Sequence, residues 1–189
     1  MRLFVALDVP YEMRRNLELL LHLLKPLARI QWSPLLNLHL TTKFIGDFPE
    51  ERLEELKTAL AAVPRPGALR IAIRGLGWFP HPDRPRVFYA GIQAPPELPS
   101  LALDTDAACA ALGIPREEKA YRPHLTLARL RNPEPLTALK AEIARLPNTD
   151  FGAFTAAQFH LYRSQLQPGG SVYTKQASFP LTAESPSTK

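Results

Sequence analysis

His39-Leu40-Thr41-Thr42 and His124-Leu125-Thr126-Leu127 are the two stretches on which the reading of this chain turns. Each has the form His-x-Thr-x, and each lies in an apolar run with the character of a β-strand. Side chains alternate between the two faces of a strand. His39 and Thr41 therefore share one face, with Leu40 and Thr42 on the other. His124 and Thr126 share a face in the same way, with Leu125 and Leu127 behind them. Two such strands facing each other would bring two imidazoles and two hydroxyls to a single phosphate. Five histidines and eleven threonines among 189 residues would give about 0.3 His-x-Thr pairs by chance. A lone copy would be an ordinary structural histidine; two copies in matching contexts point to a paired site.

Bulk properties bound the answer. A chain of 189 residues is one large domain or two interlocked lobes. Its hydrophobic content of 46% and charged content of 22% are those of a globular protein. The net charge of +5 and pI near 9.6 suit a polyanionic ligand such as RNA, without demanding one. Cys109 is the single cysteine, so an intramolecular disulfide and a thiolate metal cluster are excluded. Its alanine-rich setting reads as a buried helix position. The N-terminal apolar run is too short for a signal peptide and is broken by Asp8. No stretch is long enough to span a membrane. The compartment expected from these features is the cytoplasm.

Outward from the two motifs, the pattern predicts a strand over 2–9 and a helix over 11–27, with leucines at helical spacing. A short strand follows at 30–32, then the first motif strand over 38–45. An acidic-started helix covers 49–63. Residues 68–78 and 86–93 read as a hairpin around a proline-rich loop. A helix over 97–112 ends at Gly113. The second motif strand spans 122–130, a helix 135–146, one strand lies around 157–162 within 151–167, and another covers 172–181. The polar stretch 183–189 reads as a disordered tail. His22 reads as a surface helix residue, and His81 has no partner visible by spacing. Frequent hairpins among strand–helix alternations indicate an α+β fold with antiparallel sheets. Each motif precedes a helix and the motifs lie 85 residues apart, which hints at a duplicated half.

With these residues in hand, the chain resembles the two-histidine phosphoesterase superfamily, and within it the RNA 2′,3′-cyclic phosphodiesterases, also called 2′-5′ RNA ligases. The resemblance is carried by Arg2-Leu3-Phe4-Val5-Ala6-Leu7, by Asn37 to Gly46, and by Gly75-Leu76-Gly77-Trp78-Phe79-Pro80 with Pro85-Arg86-Val87. It continues through Arg122 to Arg129, Leu161-Tyr162-Arg163-Ser164 and Gly169-Gly170-Ser171-Val172-Tyr173. One departure is Thr42, where the family often has an apolar residue; by parity it faces away from the cleft.

The resemblance implies a bilobal domain over residues 1–182. Two antiparallel sheets would form a V-shaped cleft flanked by helices, with one His-x-Thr strand from each lobe. It also implies a monomer without an obligate protein partner, acting on RNA or nucleotides with 2′,3′-cyclic phosphate ends. No cofactor or metal is expected, and no metal-ligand spacing is readable. Ring opening needs a base for water and an acid for the leaving oxygen, tasks that suit histidine. Family precedent makes His39 the proton donor to the 3′ oxygen and His124 the proton acceptor from water, giving a 2′-phosphomonoester. The reverse 2′-5′ joining is a further expectation. Thr41 and Thr126 would bind the non-bridging phosphate oxygens.

Face parity groups Asn37 and Lys43 with His39, and Arg122 with His124. Lys43 and Arg122 are therefore candidates to bind phosphate or the RNA backbone. Parity sets Arg129 on the opposite face unless a bulge shifts the register. Trp32, Phe44, Trp78 and Tyr89 are candidates to stack on a base, against a role in core packing. Two other functions remain open at this level. One is a ribonuclease that forms, not opens, the cyclic phosphate. The other is a non-catalytic nucleotide- or RNA-binding module on the same fold.

Overall fold

The computed structural model describes residues 1–168 and 170–182. The tail expected over 183–189 lies outside the described residues. The order of elements is β1 (Arg2–Asp8), α1 (Tyr11–Leu24), β2 (Gln31–Trp32), β3 (His39–Asp47), α2 (Leu53–Ala61), β4 (Leu69–Phe79) and β5 (Val87–Gln93). Then come α3 (Glu97–Ala110), β6 (His124–Arg129), α4 (Thr137–Arg145), β7 (Asp150–Ala156), β8 (Gln158–Gln167) and β9 (Gly170–Pro180).

Most differences from the sequence reading are at element ends. α1 stops at Leu24 and tightens into a 3-10 turn over Lys25–Leu27, where Pro26 lacks the N–H that an α-helix would use. A 3-10 turn over Glu50–Arg52 likewise opens α2. One difference is topological. The stretch 151–167, read as containing one strand, holds two that divide at Ala157. β7 pairs with β4, whereas β8 pairs with β1. A continuous apolar-and-polar run shows where a strand can exist but not where it changes partner.

All strand pairs are antiparallel, in two sheets ordered β3-β1-β8-β9 and β2-β6-β5-β4-β7. The two orders correspond strand for strand: β3 with β6, β1 with β5, β8 with β4, β9 with β7. β2 is an addition at the edge of the second sheet. Each half of the chain completes the other's sheet. β4, which comes after the first motif, lies beside β5, and β8, which comes after the second, lies beside β1.

The helices cover one face of each sheet. α1 buries Met13, Leu17, Leu20, Leu21 and Leu24, and α3 buries Leu98, Leu101 and Cys109. They join Leu3, Val5 and Leu7 of β1 and Leu125 and Leu127 of β6 in one hydrophobic cluster. Each fully buried leucine contributes about 1.5–3 kcal/mol relative to exposure. With those faces committed to the core, the opposite faces carry the cleft. No helix among the described residues is long and apolar enough to cross a membrane.

The registers around the motifs repeat. On β3, Thr41 lies opposite Ala6 and Lys43 opposite Val5, so Thr42 is an extra residue. On β6, Thr126 lies opposite Tyr89 and Ala128 opposite Phe88, so Leu127 is the extra residue. Each strand thus has a β-bulge three residues past its histidine. A bulge reverses the parity of the residues beyond it. Thr42 and Lys43 are both buried, as are Leu127 and Ala128. Phe44 and Arg129, five residues past each histidine, turn back to the exposed side.

Candidate active site

The two histidines are held by the same local device. His39 Nδ1 donates to the Asn37 carbonyl (2.6 Å), and His124 Nδ1 donates to the Arg122 carbonyl (2.7 Å). A carbonyl can only accept, so this bond puts the proton of a neutral imidazole on Nδ1. Nε2 of each ring is then left with its lone pair for chemistry. Asn37 is anchored in turn, its amide donating to the Ser171 carbonyl (2.6 Å).

Aromatic rings fix the imidazole planes. Phe4 stacks on His39 with centroids 4.6 Å apart, and Tyr173 meets it edge-on at 5.2 Å. Phe79 and Tyr89 meet His124 edge-on at 5.0 and 5.6 Å. Tyr89 has room because residue 77 is glycine: a Cβ there would lie 2.4 Å from the tyrosine Cζ and Oη.

β3 and β6 approach each other across the cleft. The Tyr121 hydroxyl, just before β6, donates to the Thr41 carbonyl (3.0 Å). Thr41, Arg122 and His124 line one cavity of about 690 Å³, together with Phe44, Phe79, Leu103, Lys119 and Tyr121. His39 is not among the residues that line it, and a second cavity of about 580 Å³, lined by Arg84, Arg86 and Lys140, contains neither histidine. Burial lowers the pKa of both imidazoles, that of His39 to about 4. The Asn37 and Arg122 carbonyl bonds oppose this, and the Arg129 guanidinium adds to it at both rings. Arg129 is therefore electrostatically coupled to the two histidines at once. An anion between the rings would reverse the sign, favouring the imidazolium.

The bulges correct two assignments made from parity. Lys43 borders the larger cavity, but its side chain is about 1% exposed and its Nζ is committed elsewhere, donating to Asp106 Oδ1 (2.6 Å) and to the Pro115 carbonyl (2.7 Å), with Glu117 Oε1 at 3.7 Å. It ties β3 to α3 and the loop after it. Arg129, in contrast, turns to the histidine side. Strict alternation misplaces both; the only hint of a bulge is that unbroken alternation on β6 would seat the Arg129 cation on the apolar face of Leu125 and Leu127. Arg122 is exposed in the larger cavity beside His124.

Of the four stacking candidates, Phe44 and Tyr89 are at the cleft. Trp32 packs edge-on against Phe88 at 6.1 Å, and Trp78 packs on the same ring at 4.5 Å, both on the core side. Phe4, Phe79, Tyr162 and Tyr173 border the histidines; they lie in stretches that carry the family resemblance, but strand alternation alone does not single them out, because their strands look like any apolar strand. Cys109 is buried, and its thiol pKa is pushed up to about 11 by burial. His22 is exposed on α1, and His81 meets only Asp83, at 3.4 Å in an exposed loop. Among the described residues no group of three or more His, Cys, Asp and Glu side chains could hold a metal ion.

Comparison with known proteins matches the family model "LigT like Phosphoesterase" twice, over residues 7–89 and 92–173, once for each His-x-Thr strand. The chain belongs to the LigT-like phosphoesterase family. It is 36% identical over 194 aligned positions to the RNA 2′,3′-cyclic phosphodiesterase of Thermus thermophilus, covering 97% of this chain and 92% of that one. It is 32% identical to the RNA 2′,3′-cyclic phosphodiesterase of Methanothermobacter thermautotrophicus, over 95% and 98% of the two chains. The crystal structure of TT0787 of Thermus thermophilus superposes with a TM-score of 0.79 at 34% identity, covering 98% of this chain and all of the other. That of E. coli LigT complexed with NADP+ superposes with a TM-score of 0.75 at 25% identity, over 96% and 98%. The double match of the family model agrees with the strand-for-strand correspondence of the two LigT-like sheets.

Proposed function

We propose that this LigT-like phosphoesterase hydrolyses 2′,3′-cyclic phosphate ends of RNA or nucleotides to 2′-phosphomonoesters. The observation that carries the reading is the matched pair of Nδ1–carbonyl bonds, which leaves Nε2 of each histidine free on two strands, β3 and β6, that approach each other. His124 Nε2 takes a proton from a water as that water forms its bond to phosphorus. The P–O3′ bond breaks, and His39, protonated, gives its proton to the departing 3′ oxygen. Thr41 and Thr126 donate to the non-bridging oxygens, and the Arg129 and Arg122 guanidinium groups attract the anion. Water attack and leaving-group departure need an acid and a base but no Lewis acid, so the reaction proceeds without a metal.

The negative phosphate restores the imidazolium that burial and Arg129 disfavour in the free protein. The same proton transfers, with the 5′-hydroxyl of an RNA end attacking phosphorus in place of water, would join two ends through a 2′-5′ phosphodiester. In this reading residues 1–182 are one bilobal catalytic domain, acting as a monomer in the cytoplasm.

The test is product analysis on an oligonucleotide ending in a 2′,3′-cyclic phosphate, in the presence of EDTA. The expected product carries a 2′-phosphate, with an intact internal RNA left uncut. Cleavage of the intact RNA would move the function to cyclic-phosphate formation. Binding without turnover would make the protein a binding module. Activity lost in EDTA and restored by one divalent ion would remove the metal-free mechanism.

A further inference from the structure

Asp8 closes β1 directly opposite His39 in the strand register. Cross-strand partners share a face, so this carboxylate and the imidazole are neighbours on the cleft side. Asp8 is fixed from three directions. The Tyr162 hydroxyl of β8 donates to its Oδ1. Lys175 Nζ of β9 donates to Oδ2 (2.6 Å), and His160 Nε2 of β8 lies 3.5 Å from the same oxygen. His160 is held by Ser178, its Nδ1 2.8 Å from the serine hydroxyl oxygen. Phe4 stacks between His39 and Tyr162, at 4.6 and 5.2 Å.

The other lobe has no counterpart. The residue opposite His124 is Gly91. A Cβ there would come within 2.5 Å of the Arg74 carbonyl oxygen, so no side chain fits without moving the backbone. A carboxylate therefore stands beside one histidine of the pair and is sterically barred from the same position beside the other.

We propose that Asp8 is a positioning residue that makes the two histidines unequal, biasing the proton toward His39 once a phosphate anion occupies the cleft. The proposal deepens the cyclic-phosphate reading and rests on it for the direction of the reaction. Asp8 is held in its charged form. Burial pushes its pKa up, but the hydrogen bonds from Lys175 and Tyr162, with the charges of His160 and Lys175, bring it below the ordinary value. At His39 the Asp8 charge favours the imidazolium, against burial and the Arg129 charge of β6. The remaining groups on this side are the Tyr162 phenol, its pKa raised by burial and by Asp8, Tyr173, and Arg14, whose charge acts on Tyr162. Lys175 sits on the far side of the carboxylate and attenuates it, which gives the device a second adjustable part.

The experiment compares wild type, Asp8→Asn and Lys175→Met in two assays. The first is a site-resolved NMR titration of His39 and His124 with saturating inorganic phosphate, which needs no turnover. The second is the pH profile of kcat on a 2′,3′-cyclic mononucleotide, which reports the ligand-bound enzyme. Asp8→Asn should lower the His39 midpoint, about threefold in protonated fraction near that midpoint, and leave His124 in place. The alkaline limb of the profile, which reports the acid, should move to lower pH while the acidic limb stays. Lys175→Met should move His39 and the alkaline limb the other way, and serves as the test if Asp8→Asn does not fold. Equal shifts at both histidines, no shift at either, or a uniform loss of rate at unchanged limbs would overturn the proposal. If wild type does not open the cyclic nucleotide, the functional reading fails by itself, while the titration still decides whether Asp8 distinguishes the histidines.

Discussion

The two His-x-Thr strands share their machinery and differ in their neighbours. Both hold the imidazole by a carbonyl two residues back, both have a bulge three residues on, and both return an exposed residue five residues on. Around that frame the lobes diverge. His39 lies against Phe4 and Tyr173 with Asp8 opposite; His124 lies against Phe79 and Tyr89 with Gly91 opposite. The position five residues on is Phe44 in one lobe and Arg129 in the other. The shared frame supplies two like nitrogens, and under the proposed function it is the unshared neighbours that would set one to give a proton and the other to take one.

The comparison breaks most directly at the histidines. His39→Ala and His124→Ala should each reduce turnover about 10²–10⁴-fold, the usual contribution of a general acid or base. The double variant should be hardly slower than either single one, because acid and base act in one step. Single-turnover rates on a cyclic-phosphate substrate, with circular dichroism to check folding, decide this. Near wild-type rates in either folded single variant would reduce the paired motif to strand architecture.

The two cations that the bulges re-sort give the next contrast. Arg129→Met should slow turnover about ten- to a hundredfold, by losing a charge-assisted contact of roughly 1.5–3 kcal/mol. It should also raise both histidine midpoints, since its charge lowers both. Lys43→Met should instead act on stability. Breaking a buried ion pair leaves Asp106 uncompensated and costs about 3–5 kcal/mol. Urea midpoints and rates per folded molecule separate the two. A Lys43→Met protein of normal stability and poor turnover would return Lys43 to the substrate.

Fold class, hairpin and both motif strands were legible because apolar alternation and a repeated tetrapeptide are local signals. The site beyond the histidines and threonines was less so. A bulge is one extra residue defined by the partner strand, so nothing at Thr42 or Leu127 alone announces it. Strict alternation consequently sets Lys43 and Arg129 on the wrong faces. Asp8 reads only as the end of an apolar run, because its neighbours Tyr162 and Lys175 come from the opposite end of the chain. The division of 151–167 into β7 and β8 has the same origin: strand partners are a property of the whole sheet.

The smallest expected effects are at the threonines. Thr41→Val and Thr126→Val keep the β-branched shape and remove one hydroxyl. Each should cost at most about tenfold in turnover, the lower end of what one charge-assisted hydrogen bond contributes. Equal losses would mean both hydroxyls meet the phosphate alike; unequal losses would extend the asymmetry of the histidines to their partners. Steady-state rates on a cyclic mononucleotide read the difference.

The reciprocal completion of the sheets has a consequence for how the molecule can be taken apart. β5 corresponds to β1, so the join between its repeats is the link over 80–86 between β4 and β5, close to where one family match gives way to the next at 89–92, yet no boundary between independent folding units coincides with it. Severing that link would interrupt the backbone and leave β4 still clasped by β5 and β7, and β8 by β1 and β9. Separating the pieces would strip each sheet of inner strands and bare hydrogen-bonding edges that invite aggregation. An ancestor with a single repeat would therefore have needed a second copy of itself to be complete. Within the single chain that mutual dependence is kept, while the residues flanking the two histidines differ.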